Sequence, residues 1–277
     1  MTEPIRRRAF RVAVRALEAG APPVAAWLAE RLFFTPPRRA VSPDLLSLLD
    51  TGTRFELRAE GRRVVGWRWG EGPQVALAHG WGSRGGRLGA FIEPLVRRGY
   101  AVVTWDGLGH GLSDGRMSSM LELARTLLAV RDHAGPFDAI IGHSLGASAT
   151  TLALRDGLTA RALVFLAPAS DPAGFTVAFA RLLGFSAATI EGMKRRSERR
   201  LRFRWDDINI AAIARGQRIP LLVFHDRADE TIAWAEGSAI ATAWPGAELV
   251  STSGLGHRDI VRDPGVVKRA VEFVTNS

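Results

Sequence analysis

The 277-residue chain contains no cysteine. That excludes a disulfide framework, a cysteine-ligated zinc or iron–sulfur centre and a cysteine nucleophile. It leaves the redox compartment open, because a chain without thiols is indifferent to it. Lysine is almost missing too: Lys194 and Lys268 are the only two, so the net charge of +9 is carried by arginine. No apolar run approaches the roughly 18 residues of a membrane span. There is no H-E-x-x-H motif and no carboxylate cluster suited to metal catalysis. The glycines at 80, 82, 85, 86 and 89 lack the lysine and spacing of a phosphate-binding loop. Neither a metal nor a cofactor is therefore expected.

What is present is the balance of a globular protein, with 47% hydrophobic and 23% charged residues. A basic excess suits nucleic acid, an anionic membrane or an anionic substrate. The arginines are spread along the chain, with clusters at Arg6–Arg8 and between Arg195 and Arg204, and no nucleic-acid motif accompanies them. A solvated basic surface is the expectation, with no nucleic-acid partner. Arg7-Arg8-Ala9-Phe10 resembles a twin-arginine export signal, but the segment after it is broken by Arg11, Arg15, Glu18 and Pro22-Pro23. Ile5, Ala9, Val12 and Ala16 recur at helical spacing instead, which predicts an amphipathic helix. A second helix is expected from Pro22-Pro23 to just before Pro36-Pro37. Its Trp27, Leu28, Leu32, Phe33 and Phe34 need something to pack on: the main domain, a partner or a lipid surface. The expected location is the cytoplasm; peripheral membrane contact through residues 1–50, or export, is the alternative.

From about residue 53 short apolar runs alternate with helical patterns. Strands are expected at 55–59, 62–69, 74–78, 100–105, 137–141, 162–167, 219–224 and 247–251, the first two as a hairpin around Glu60-Gly61. Helices are expected at about 86–98, 118–133, 145–156, 231–243 and 264–275. This alternation predicts an α/β protein whose mostly parallel sheet is covered on both faces. Residues 169–217 interrupt the rhythm without a strand and are too long for a bare loop, so a helical cap is expected there. The organisation is therefore an N-terminal helical extension (1–52), a core in two parts (53–168 and 218–277) and the cap (169–217).

The chemistry concentrates at Gly142-His143-Ser144-Leu145-Gly146, which follows an apolar strand run and precedes a run of small helix-compatible residues. A serine on a sharp strand-to-helix turn needs glycines beside it, because side chains there would clash. A serine hydroxyl is a weak nucleophile and needs a base, and the base needs an acid to set its tautomer. His257 after the last strand is the expected base. Asp229, in His225-Asp226-Arg227-Ala228-Asp229, is the expected acid, with Asp226 as its rival. All follow strand ends, which in an open α/β sheet share one edge. An oxyanion hole is expected from the backbone N–H of Leu145 and, in the loop His79-Gly80-Trp81-Gly82, that of Trp81. His79 is read as a structural hydrogen-bonding residue.

These motifs, in the order Ser, Asp, His, resemble the α/β-hydrolase-fold serine hydrolases over about residues 53–277. Within them the chain is similar to the lysophospholipase/monoacylglycerol-lipase-like and S33-peptidase-like branch. Asp106-Gly107-Leu108-Gly109-His110-Gly111-Leu112-Ser113 resembles the family's structural D-x-x-G-x-G-x-S loop. The resemblance implies a twisted eight-stranded sheet with a cap inserted after the sixth strand. It implies hydrolysis of a small, ester or lipid-like substrate. Ser144 argues against the dehalogenases and epoxide hydrolases of this fold, which use aspartate there. Thioester or amide hydrolysis, acyl transfer, carbon–carbon cleavage and a non-catalytic binding role stay open. Phe175, Phe179, Leu182, Leu183 and Phe185 either line an acyl pocket or seat the cap. Arg195, Arg196, Arg199, Arg200, Arg202 and Arg204 either bind an anionic substrate or form a solvated face.

Overall fold

The computed structural model describes residues 3–38 and 40–277, with residues 3–7 described by backbone alone. The side chains of Ile5, Arg6 and Arg7 in the amphipathic and export readings lie outside the described residues. In chain order the helices α1 (Glu3–Gly20), α2 (Pro22–Phe33) and α3 (Pro43–Asp50) precede the strands β1 (Thr53–Ala59), β2 (Arg62–Trp69) and β3 (Gln74–Ala78). Next come α4 (Ile92–Val96), β4 (Ala101–Trp105), α5 (Met120–Ala134), β5 (Phe137–His143), α6 (Leu145–Arg155) and β6 (Ala162–Leu166). Between β6 and β7 (Leu221–Asp226) lie α7 (Pro172–Leu183), α8 (Ala187–Leu201) and α9 (Ile210–Ala214). The chain closes with α10 (Trp234–Ala243), β8 (Glu248–Thr252), α11 (Gly256–Asp259) and α12 (Pro264–Asn276). Two compact units result. Pro36–Ser170 joins Ile210–Ser277, and the residues up to Thr35 join Asp171–Asn209.

The larger unit holds an eight-stranded sheet of order β1-β2-β4-β3-β5-β6-β7-β8. β2 runs antiparallel to both neighbours, and every other pair is parallel. This is the mostly parallel, helix-flanked sheet that the sequence pattern predicts. β4, β6 and β7 are buried at every position, as their unbroken apolar runs require when helices cover both faces. The edge strands β1 and β8 instead mix exposed and part-buried positions. Glu60 (φ 50°) and Gly61 (φ 75°) both take positive φ at the β1–β2 turn, matching the twist of a tight hairpin. One sheet face presents Val75, Leu77, Ile141, Val164, Leu222 and Phe224 to a core completed by Leu88, Phe91 and Leu95 and by the inward valines of α12. Each such fully buried side chain contributes about 1.5–3 kcal/mol.

The helix expected over 86–98 is reduced to a 3₁₀ stretch at Gly85–Phe91 and the five-residue α4. Glycines at 85, 86 and 89 weaken helix formation, and close packing requires them. A Cβ on Gly86 would sit 2.2 Å from the Leu45 side chain, and one on Gly85 would sit 2.9 Å from the Trp105 carbonyl.

The smaller unit is helical. α2 opens on Pro22-Pro23, where prolines cost no intrahelical hydrogen bond. α7 stops at Gly184, whose φ of 83° needs no Cβ, and α8 begins with Ser186 accepting from Thr189 N–H. α2 and α8 approach closely enough that a Cβ on Gly192 would lie 2.8 Å from the Ala26 Cβ. Their core holds Val14, Ala29, Phe185, Ile190 and Met193, with Phe33, Phe179 and Leu183 packed around it. Phe179, Leu183 and Phe185 thus pack with the N-terminal helices of their own unit. Glu30, buried on α2, receives the Nε–H groups of Arg196 (3.0 Å) and Arg200 (2.8 Å). Two of the six arginines between 195 and 204 are therefore tied to an internal carboxylate.

Candidate active site

Ser144 stands between β5 and α6 with φ 54° and ψ −124°, a region that a non-glycine residue adopts only when its surroundings impose it. The imposition is steric. A Cβ on Gly146 would lie 2.3 Å from the Ala78 carbonyl oxygen, and one on Gly80 would lie 2.9 Å from the Ser144 Cβ. The loop after β3 thus lies directly against the serine. Leu145 is the first residue of α6, so its N–H is one of the helix-terminal donors with no intrahelical acceptor.

The loop His79–Gly82 is held by two histidines. Gly107 N–H donates to His79 Nε2 at 2.8 Å, and Gly82 N–H donates to His110 Nε2 at 3.1 Å. Each Nε2 must therefore be unprotonated, and each Nδ1 carries the proton that it donates to a carbonyl: Gly80 for His79 and Leu108 for His110. Burial holds both rings neutral, His79 at a pKa of about 4 and His110 at about 3. The Trp81 ring meets His110 edge-on, with centroids 5.5 Å apart. Asp106 organises the loop after β4 by accepting from Gly85 N–H (2.9 Å) and Leu112 N–H (2.7 Å). Ser113 Oγ accepts from Val65 N–H and donates to the Asp106 carbonyl. The structural role implied for this loop by the family resemblance agrees with those bonds.

Past β7, Asp229 is buried and accepts the Nδ1–H of His257 at 2.7 Å. Its other oxygen accepts from Thr231 N–H and Ile232 N–H, each at 2.8 Å. Burial alone would raise this carboxyl, but hydrogen bonds from His225, His257 and Ile232 N–H outweigh it and hold the group well below the usual carboxylate range. With Nδ1 protonated, neutral His257 keeps its lone pair on Nε2. Asp226 is occupied otherwise: it accepts from Ala228 N–H (2.9 Å), Thr252 Oγ–H (2.7 Å) and Leu255 N–H (3.0 Å). Asp229, not its rival, meets the histidine.

Two further histidines belong to this arrangement and escaped the sequence reading. His143, just before Ser144, donates from Nε2 to the His257 carbonyl at 3.0 Å, and the two rings lie 4.8 Å apart. Burial keeps it neutral, with a pKa of about 3. It ties the segment that carries His257 to the strand that carries Ser144. His225 donates from Nε2 to the Ile232 carbonyl at 3.0 Å and lies 3.5 Å from Asp229 Oδ2. The only available signal was position: each sits within four residues of Ser144 or Asp229. Among the described residues, no group of three His, Asp or Glu is arranged to hold a metal ion.

Residues 72–229 match the model of the family described as serine aminopeptidase, S33, which is more than half of the chain. A non-heme haloperoxidase from Rhodococcus erythropolis is 33% identical over 95 residues, 33% of this chain. That match spans 35% of the relative's own length. Among solved structures, an esterase from Exiguobacterium antarcticum superposes with a TM-score of 0.63 at 14% identity, covering 80% of this chain and 99% of that one. The enol-lactonase from Burkholderia xenovorans LB400 gives 0.62 at 19% identity, covering 80% and 100%. At such identities these two likenesses establish the shared fold.

Proposed function

Since the chain belongs to the serine aminopeptidase S33 family of α/β-fold hydrolases, we propose that it hydrolyses a carboxylic ester through an acyl-enzyme on Ser144. The observation that carries the reading is the 2.7 Å bond from His257 Nδ1 to a buried Asp229, on a segment that His143, the residue before the strained Ser144, binds through the His257 carbonyl. His257 Nε2 takes the proton as Ser144 Oγ bonds to the carbonyl carbon. The N–H groups of Trp81 and Leu145 donate to the resulting oxyanion. One such donor is worth about 3–4 kcal/mol of barrier. Collapse breaks the bond to the leaving alcohol, which departs with the proton from Nε2. Water then repeats the sequence on the acyl-enzyme, releasing the acid and restoring Ser144. Asp229 steadies the imidazolium at each step and keeps its own proton off.

The substrate in this reading is a small ester or lipid-like molecule. The family description, an aminopeptidase, supports an amide on the same machinery as the second reading. A series of chromogenic esters of increasing acyl length, run beside aminoacyl anilides, separates them. Ester turnover that disappears in Ser144→Ala is the expected result. Anilide turnover alone would transfer the reading to amides, and turnover that survives in Ser144→Ala would remove the serine mechanism.

A further inference from the structure

Eight large hydrophobic side chains are substantially exposed among the described residues, and six of them belong to the smaller helical unit. Three of the most exposed lie on two helices: Val12 (62%) on α1, and Val177 (58%) and Leu182 (51%) on α7. On α1 the exposed positions at helical spacing from Val12 are Arg8 and Arg15; on α7 Arg181 lies between the two aliphatics. The two helices meet here, because the Arg11 guanidinium donates to the Arg181 backbone carbonyl. The result is one face of aliphatics interleaved with arginines. Its nearest carboxylate is Glu18, which lies beside Arg15 at the C-terminal end of α1 and is turned to Ser186 and Thr189; residues 4–17 and 172–190 contain no Asp or Glu. The unit holds a net +6 of the chain's +9.

We infer that this α1–α7 face docks on an anionic phospholipid surface. Both halves of its composition have a partner there: arginines at the phosphates, and aliphatics below them at the acyl boundary. A nucleic acid would engage the arginines but would leave Val12, Val177 and Leu182 in water. No described helix is long and apolar enough to cross a membrane, so the contact is peripheral. The inference is independent of the proposed ester chemistry.

The test uses the full chain and sucrose-loaded vesicles, either of phosphatidylcholine alone or with about one-third phosphatidylglycerol. The protein should pellet with the anionic vesicles and stay in the supernatant with the neutral ones. Arg8→Gln, Arg15→Gln and Arg181→Gln together should lower partitioning about a hundredfold, at about fivefold per charge. Val12→Ser with Leu182→Ser should lower it on the same vesicles. Circular dichroism and thermal melting, unchanged in both variants, exclude unfolding as the cause. Failure to pellet, equal pelleting with both vesicles or full partitioning by the arginine variant would overturn the inference. So would tighter binding to duplex DNA or RNA than to vesicles, or a dimer that Val12→Ser with Leu182→Ser dissolves.

Discussion

Replacing Asp229 by Asn changes one atom and should cost the protein nearly all of its turnover. Asp229 Oδ1 accepts two backbone N–H groups at 2.8 Å, a pair that only a carbonyl-type oxygen can satisfy. The asparagine oxygen must therefore stay at that position, and its NH₂ must take the place of Oδ2, 2.7 Å from His257 Nδ1. Two N–H groups cannot face each other there, so His257 adopts the other tautomer, with Nδ1 accepting and Nε2 protonated. The lone pair that would receive the Ser144 proton is gone. A geometry-preserving aspartate-to-asparagine change in a serine triad costs about 10⁴ in kcat, or about 5.5 kcal/mol of barrier. The assay is kcat on the best chromogenic ester, with ¹⁵N chemical shifts of His257 to read the tautomer. The same variant has a stability signature. The folded state holds the Asp229 carboxyl below its ordinary range, whereas unfolding returns it to about 3.9. Its stabilisation is present above that value and fades as pH falls through and below it. Wild-type melting temperature should therefore begin to drop below about pH 5 and keep dropping below about pH 3, and Asp229→Asn should drop less. An Asp229→Asn enzyme within tenfold of wild type, with Asp226→Asn inactive but folded, would refute the reasoning and move the acid to Asp226.

Other consequences can be measured directly. His143→Phe leaves the His257 carbonyl without its donor and should lower stability by about 1–3 kcal/mol. It should also lower kcat more than it raises KM, while His143→Gln, able to donate, restores part of the rate. Gly80→Ala places a methyl 2.9 Å from the Ser144 Cβ, so ester turnover should fall at least a hundredfold with the secondary structure seen by circular dichroism intact. Glu30→Gln removes a buried charge from between Arg196 and Arg200. Because both arginines are a third exposed, the expected loss in denaturant unfolding is about 2 kcal/mol rather than the larger cost of a fully buried pair.

The sheet was legible because each parallel strand is an unbroken apolar run, and burial on both faces leaves no other composition open to it. Glycines beside Ser144 announced the turn by the same logic, since a close approach of backbones has a one-letter signature. The preference for Asp229 over Asp226 rested on reach into the loop. The structure supplies the complementary reason: Asp226 is saturated by Thr252, Ala228 and Leu255. His110 and His143 were not legible. Their partners are backbone groups 28 and 114 residues away, and such partners leave no pattern in a sequence. The abbreviated α4 was misread because apolar spacing outvoted three glycines that packing requires. The pairing of α2 with α8 was equally silent, since it depends on one acid, Glu30, choosing two arginines far along the chain.

That last pairing has a consequence during synthesis. About 150 residues separate the end of α2 from the start of α8. At the usual 5–20 residues per second, the ribosome needs roughly 8–30 s to deliver α8 after α2 has emerged. Through that interval α2 has only α1 to pack on, Ala26 and Ala29 lack their α8 neighbours, and Glu30 lacks Arg196 and Arg200. The larger unit cannot close its sheet either until β7 and β8 follow α8. The nascent chain therefore carries an apolar helix without its α8 partner while about 150 residues are added. A chaperone that scans emerging chains would meet that helix before its partner exists.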